Sequence, residues 1–492
     1  MSGSDRIHAD PSGSFFALLG LALTAVLLHG KVPSDVAQVG AFGAAISLGI
    51  TLFFDAQRGI RNLVRADVMA LLALYFLTLF EFLFPQSAFN SLTDVPTAKL
   101  GVIACLVGFA GLIIGRHALR KPQRHPFPHL FTHEVGNGWM LLIFWGAMLL
   151  GYFHMLLAVN FNVAEMVEYF VAPRFSQPWS RAKFGDWKAL LHELGMLLYL
   201  VPPVAGIILA RRKTYSPLSL VLVTIGLLFT LFYGFSGGTR NVFAAYLLTF
   251  LIGYAFATGL EKKRELLTLT ISVATLLIVS TFAMLHFRDA GLATYLKDEN
   301  GIPENTSNTS LYIDYNLYAI CNLITVFPDR HPYLGLEVPY QALIRPIPRA
   351  LWKGKPEGLS MTIEEALGVE GLTIAASFVG EAYMSGGFIA VLLAGLFFGA
   401  ITSWWDYLSS DRNSQLGILV YSSGFFAAVI SMRSLFVFST AILPTVAAVV
   451  AGSVVVHLAR TAIQKRQMLS KHIHTGPASP PEKKVQPRVY GP

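Results

Sequence analysis

Pro217-Leu-Ser-Leu-Val-Leu-Val-Thr-Ile-Gly-Leu-Leu-Phe-Thr-Leu-Phe-Tyr-Gly-Phe235 holds no charged residue and is separated by three residues from Arg211-Arg212-Lys213. An α-helix needs about 20 apolar residues, at 1.5 Å rise each, to cross the hydrocarbon core of a bilayer. This run is long enough, and eleven others resemble it. They fall at 15–29, 36–54, 67–85, 98–115, 138–159, 191–210, 241–259, 266–285, 388–405, 416–431 and 435–458. The expected fold is all-α: a polytopic integral membrane protein with about twelve transmembrane helices. The first and eleventh runs are short, and Pro202-Pro203 is expected to kink the sixth. Residues 15–29 also look like the core of a signal peptide, but with eleven further spans they read as the first transmembrane helix.

The whole chain agrees with that class. Its 492 residues are 54% hydrophobic and only 13% charged, with a mean hydropathy of +0.56, whereas soluble domains carry about 25% charged residues. Two cysteines, Cys105 and Cys321, are too few for a disulfide framework or a thiolate metal site. The net charge of +8 suits contact with anionic lipid, and nothing suggests nucleic acid.

Orientation follows from the basic residues, which gather in cytoplasmic segments. With the N-terminus inside, the inner segments collect 22 of the 37 Lys and Arg, including Arg58, Arg61 and Arg65, Arg116 and Arg120, and Arg211 to Lys213. Short outer loops then hold only Lys31, Lys99, Arg240 and Arg433. The expected layout is helices 1–9 over 1–285, a large periplasmic loop between helices 9 and 10 over 286–387, helices 10–12 over 388–459, and a disordered cytoplasmic tail over 460–492. Within the loop, Leu311 to Val326 is apolar enough for an interfacial or docked helix.

Four stretches carry candidate chemistry. In Leu343-Ile-Arg-Pro-Ile-Pro-Arg-Ala-Leu-Trp-Lys-Gly-Lys-Pro356, the cations Arg345, Arg349, Lys353 and Lys355 lie on a backbone stiffened by proline. Guanidinium forks match phosphate oxygens in pairs, as a lysine ammonium does not. The same segment also reads as a solvated basic loop or a headgroup anchor. Phe235-Ser-Gly-Gly-Thr-Arg240 places two glycines and a hydroxyl before a new helix, the pattern of an anion nest, or simply of a tight turn with a snorkelling arginine. Arg433 lies in the turn between the last two spans. Finally, Ser377-Phe-Val-Gly-Glu381-Ala-Tyr-Met-Ser-Gly-Gly387 puts Glu381 at the membrane surface in a helix that ends at the double glycine. It reads equally as a functional carboxylate or as an arginine's salt-bridge partner.

At these residues the chain resembles the oligosaccharide repeat-unit polymerases, the Wzy-type O-antigen and exopolysaccharide polymerases of bacterial inner membranes. Ile347-Pro-Arg-Ala-Leu-Trp-Lys-Gly-Lys-Pro356 is similar to the family's Ile-Pro-Arg-x-Leu-Trp-Pro-x-Lys-Pro, with Lys353 where proline is usual. Gly380-Glu381, Gly386-Gly387 and Ser236-Gly-Gly-Thr-Arg240 also match. The motifs cover about a tenth of the chain. The resemblance implies a membrane glycosyltransferase with polyprenyl-pyrophosphate-linked oligosaccharides as donor and acceptor, a chain-length regulator as a further candidate partner, and no cofactor. It implies that Arg240, Arg345, Arg349, Arg433 and Lys355 hold the pyrophosphate, with Glu381 as base. His154, His192, Arg288 and Trp352 are candidate cavity residues, and Glu81, Asp289 and Asp314 weaker ones. No Walker, Rossmann, zinc or catalytic-triad spacing occurs. An O-antigen ligase shares this layout, and a glycan transporter or flippase is the rival outside enzymes.

Overall fold

Apolar runs of this length satisfy their backbone groups internally by forming helices, and the computed structural model contains helices and no strands among the residues it describes. Those residues are 9–119, 126–173, 176–179, 191, 193–259, 262–287, 291–297, 316–347, 349, 351–356, 358–367, 375–408 and 414–474. In chain order the α-helices are α1 (Pro11–Leu27), α2 (Pro33–Gln57), α3 (Ala66–Thr78), α4 (Val95–Gly115), α5 (Pro128–Thr132), α6 (Asn137–Ala158) and α7 (Val163–Val171). Next come α8 (Val201–Ala210), α9 (Pro217–Ser236), α10 (Arg240–Thr258), α11 (Lys263–Phe287), α12 (Leu292–Lys297) and α13 (Asn316–Val326). The series ends with α14 (Glu337–Ile344), α15 (Ile363–Leu367), α16 (Ser377–Tyr407), α17 (Gln415–Ser431), α18 (Leu435–Ala441) and α19 (Leu443–His474).

Nine helical stretches among the described residues are long and apolar enough to cross a membrane. The runs expected at 15–29, 67–85 and 416–431 form the shorter helices α1, α3 and α17. The third run breaks early: α3 ends at Thr78 and a 3₁₀ turn, Phe80–Leu83, follows. Around Pro202-Pro203 the departure from regularity is larger than a kink. A 3₁₀ stretch, Glu193–Leu200, leads into α8, whose first turn holds the prolines, where a missing N–H costs no intrahelical bond.

Two apolar cores organise the helices. One joins α1 to α4 with α13 and the first half of α16. The other joins α6, α8, α9, α10, α17 and α19. Glycines allow the closest crossings. A Cβ at Gly111 of α4 would stand 2.7 Å from the Leu392 carbonyl of α16, and one at Gly395 would stand 2.8 Å from the Gly108 carbonyl. Gly115 and Gly399 continue the same seam one turn on, so both helices carry a Gly-x-x-x-Gly contact. The apolar segment expected near 311–326 forms α13 over its described part, packed into the first core with Leu317, Ile320 and Cys321 fully buried.

Candidate functional site

Glu381 lies near the start of α16, in a short stub that ends where the chain swings through Gly386 and Gly387 before the apolar rod 388–407 begins. Gly387 has φ of 65°, in the left-handed region that favours glycine. At the other end of the stub Ser377 also has positive φ (56°), unusual for a residue with a side chain. The stub is tied at that point: the Phe378 amide donates to the Met432 carbonyl at 3.1 Å. Glu381 is 3% exposed. Its carboxylate accepts from the Ser434 hydroxyl at 2.7 Å and from the Leu435 amide at 2.5 Å. The stub, the turn that carries Arg433 and the start of α18 are therefore one interlocked unit.

The chain from Leu334 through α14 docks on the same unit. The amides of Leu334 and Gly335 donate to the carbonyls of Met384 and Ser385, both at 2.9 Å. The Ser439 hydroxyl of α18 donates to the Ala342 carbonyl of α14. Beyond α14 the chain closes on itself through nested bonds. Glu337 holds Ser360, Gln341 donates to the Gly358 carbonyl at 2.7 Å, and Lys355 donates to the carbonyls of Arg345 and Ile347 at 3.1 and 2.8 Å. Arg349 donates to the Pro356 carbonyl at 3.3 Å, across the Lys355 bonds. Arg345, Arg349 and Lys353 are exposed, Lys355 and Trp352 half-buried. The Arg345 charge acts on the Glu381 carboxylate.

Arg240 is the first residue of α10, two positions after Gly238, whose φ is 61°. Its helix reaches the same neighbourhood, because Ala245 packs with Ala427 and Ala441, which flank the Arg433 turn. The fold thus gathers the elements bearing Glu381, Arg345, Arg433 and Arg240 toward one end of the bundle.

Residues 287–437 match a family described as a domain of unknown function (DUF8712). The matched stretch takes in Glu381, Arg345, Arg349 and Arg433 and leaves out Arg240. No curated protein and no solved structure matches the chain.

The remaining candidates are placed differently. His154 is buried in α6, and the imidazole stands against Gly195, where a Cβ would meet it at 2.9 Å. Glu81 belongs to the 3₁₀ turn after α3. His192, Arg288, Asp289 and Asp314 lie outside the described residues.

One cluster is absent from the sequence reading. Arg65 and Arg116, taken there only as orientation signals, are 1% and 2% exposed. Arg65 donates to Asp67 at 2.8 Å and to Asp55 at 3.0 Å. Arg116 pairs with Asp55 and, at 2.9 Å, with Asp67. Asp406, near the end of α16, accepts from the Ala66 amide at 2.7 Å and the Tyr421 hydroxyl at 3.2 Å. A cavity of about 310 Å³ opens beside it, lined by Arg58, Arg65, Arg116, His117, Ser403 and Asp406 among others. Only the spacing of isolated aspartates at the ends of apolar runs hints at this network. Its members come together across 340 positions, so no local motif marks it.

Proposed function

We propose that the chain is a membrane glycosyltransferase of the repeat-unit polymerase type, joining polyprenyl-pyrophosphate-linked oligosaccharides at the extracytoplasmic face of a bacterial inner membrane. In this reading the chain crosses twelve times, with the short helices α1, α3 and α17 among the spans and both termini in the cytoplasm. The large loop then lies outside, together with Glu381. The observation that carries the reading is the joining of a buried carboxylate, the Arg433 turn and the Arg345–Lys355 loop into one unit.

Chemistry of this kind consists mainly of positioning and charge stabilisation. An acceptor hydroxyl attacks the anomeric carbon of the donor and forms the new C–O bond. The bond to the polyprenyl pyrophosphate breaks, and its electron pair leaves with the phosphate. Arg345, Arg349, Arg240 and Arg433 stabilise that departing charge. The hydroxyl proton passes to Glu381, whose oxygens accept from Ser434 and Leu435 and keep further lone pairs for a substrate hydroxyl. Lys355, with two of its three donors on loop carbonyls, shapes the loop that presents the arginines.

The test is complementation of a bacterium that lacks its own repeat-unit polymerase and supplies matching lipid-linked units. Long surface chains are expected with the wild-type protein, and their loss in Arg345→Ala at normal protein abundance. Glycan attached to lipid A core without lengthening would assign the protein to the ligases instead. Unchanged long chains in both Arg345→Ala and Arg349→Ala would remove the arginines from the mechanism, and near-wild-type activity of Glu381→Gln would remove the base.

A further inference from the structure

The loop that carries the cations also carries an exposed apolar surface that the chemistry above does not use. Leu336 is 84% exposed, Leu343 68% and Leu351 72%, with Tyr340 and Ile347 also exposed. Leu336, the N-cap of α14, is followed at i+4 and i+7 by Tyr340 and Leu343 on one face of the helix. The opposite face is buried through Val338 and Ala342, where Ser439 of α18 holds it. Side chains of this size do not stay in water without reason when they gather in one patch.

The height of the patch is fixed by backbone bonds. Leu334 and Gly335 pair with Met384 and Ser385, immediately before the Gly386-Gly387 break. The rod beyond that break is apolar, and Ile389 and Leu393 in its first turns are exposed, at 74% and 59%. Leu336 therefore sits level with the start of the apolar rod. Between 338 and 356 there are four cations and no acidic residue. Tyrosine at the edge of an apolar surface, with arginine and lysine beside it, is the composition of the layer where acyl chains meet headgroups.

We propose that residues 336–353 lie in the interfacial layer of the bilayer, with the leucines among the upper acyl chains and Arg345, Arg349 and Lys353 on the phosphates of anionic phospholipid. Basic residues at a membrane surface are drawn to anionic lipid. The stripe gives the patch its depth, and the cations give it a preference for charge. The leucine contact stands apart from the enzymatic reading, and intact polymer in Arg345→Ala would leave it untouched; the phosphate contact is made by the same arginines while no donor pyrophosphate occupies them.

The test uses the full-length protein in phosphatidylcholine nanodiscs, with and without phosphatidylglycerol. Leu336→Cys, Leu343→Cys and Leu351→Cys are each labelled with an environment-sensitive fluorophore, and Glu365→Cys is the exposed control. The native Cys105 and Cys321 are fully buried and escape labelling under folded conditions. Quenching by lipids that carry a nitroxide near the headgroup is expected to be several-fold stronger at the three leucine sites than at the control, and quenching by aqueous iodide several-fold weaker. Phosphatidylglycerol should increase the lipid quenching at 343 and 351, and the triple variant Arg345→Gln, Arg349→Gln, Lys353→Gln should abolish that increase. Iodide quenching equal to the control would overturn the proposal, because the loop would stand in water. Shielding from both quenchers would overturn it too, since protein would then cover the patch. No response to phosphatidylglycerol in the unsubstituted background would overturn the phosphate contact.

Discussion

At one end of α16, Asp406 closes a buried network in which two guanidinium groups face three carboxylates; at the other, Arg345 and Arg349 stand exposed on a loop held together by bonds to its own backbone. Residues 388–407 separate the two ends by about 30 Å of helix. Both groups begin as arginines near the ends of apolar runs, yet they contribute in different ways. The buried pair cannot be removed singly, because a charge left without its partner in a low-dielectric site is costly. The exposed pair adds little to stability, since surface ion pairs contribute about 0–1 kcal/mol. The first arrangement fixes the ends of α2, α4 and α16 and the start of α3 relative to one another; the second leaves charge at a surface.

The sharpest way to break this contrast is within the network. Asp55→Ala is expected to cost about 3–5 kcal/mol, read as loss of monodisperse protein after detergent extraction. Pairing Asp55→Leu with Arg116→Met should recover much of that loss, because the desolvation cost disappears with both charges. A stable Asp55→Ala protein would mean that the cluster is not the clamp described. Next in size, Gly395→Val drives a side chain against the Gly108 carbonyl and should cost about 1–3 kcal/mol, measured as a lower thermal transition. At the exposed end, Arg349→Lys keeps the charge and loses the fork. Polymer output should fall about tenfold, worth about 1.4 kcal/mol, with the transition unchanged. Equal melting shifts from Arg349→Lys and Asp55→Ala would erase the distinction between the two ends.

The smallest effect concerns neither group and calibrates both. Asp94 caps α4, accepting from the Thr97 amide at 2.7 Å, and this bond holds its carboxyl below the usual aspartate range. Asp94→Ala should cost about 1 kcal/mol. Because the folded-state value is depressed, the stabilisation is present above the ordinary aspartate pKa of about 4 and is lost as pH falls through the lower folded value. The difference between variant and wild type should therefore shrink only in strong acid, a change that melting curves across pH would follow.

Much of the helical layout was legible because length and hydropathy are local. The run expected at 98–115 appears as Val95–Gly115, and that at 217–235 as Pro217–Ser236. The break at Gly386-Gly387 was likewise expected from two adjacent glycines. The short third helix and the 3₁₀ entry to α8 were not, since hydropathy does not distinguish helix types. The glycine seam was present as Gly111-x-x-x-Gly115 and Gly395-x-x-x-Gly399 but passed unread, because each pattern needs the other to mean anything. For the candidate site, the sequence marks Glu381 by its depth beside the double glycine. Its partner Ser434 lies 53 positions away, and only the fold joins them. Arg65 and Arg116 show the limit most plainly, because a basic residue that orients a helix and one that is buried in a network look alike until their aspartates are found.

The swivel at Gly386-Gly387 carries a mechanical consequence. The rod 388–407 takes a new direction at that joint and is seated against α4. The stub is instead harnessed to the Met432–Leu435 turn and to Leu334-Gly335, so Glu381 takes its bearings from a different part of the fold than the rod does.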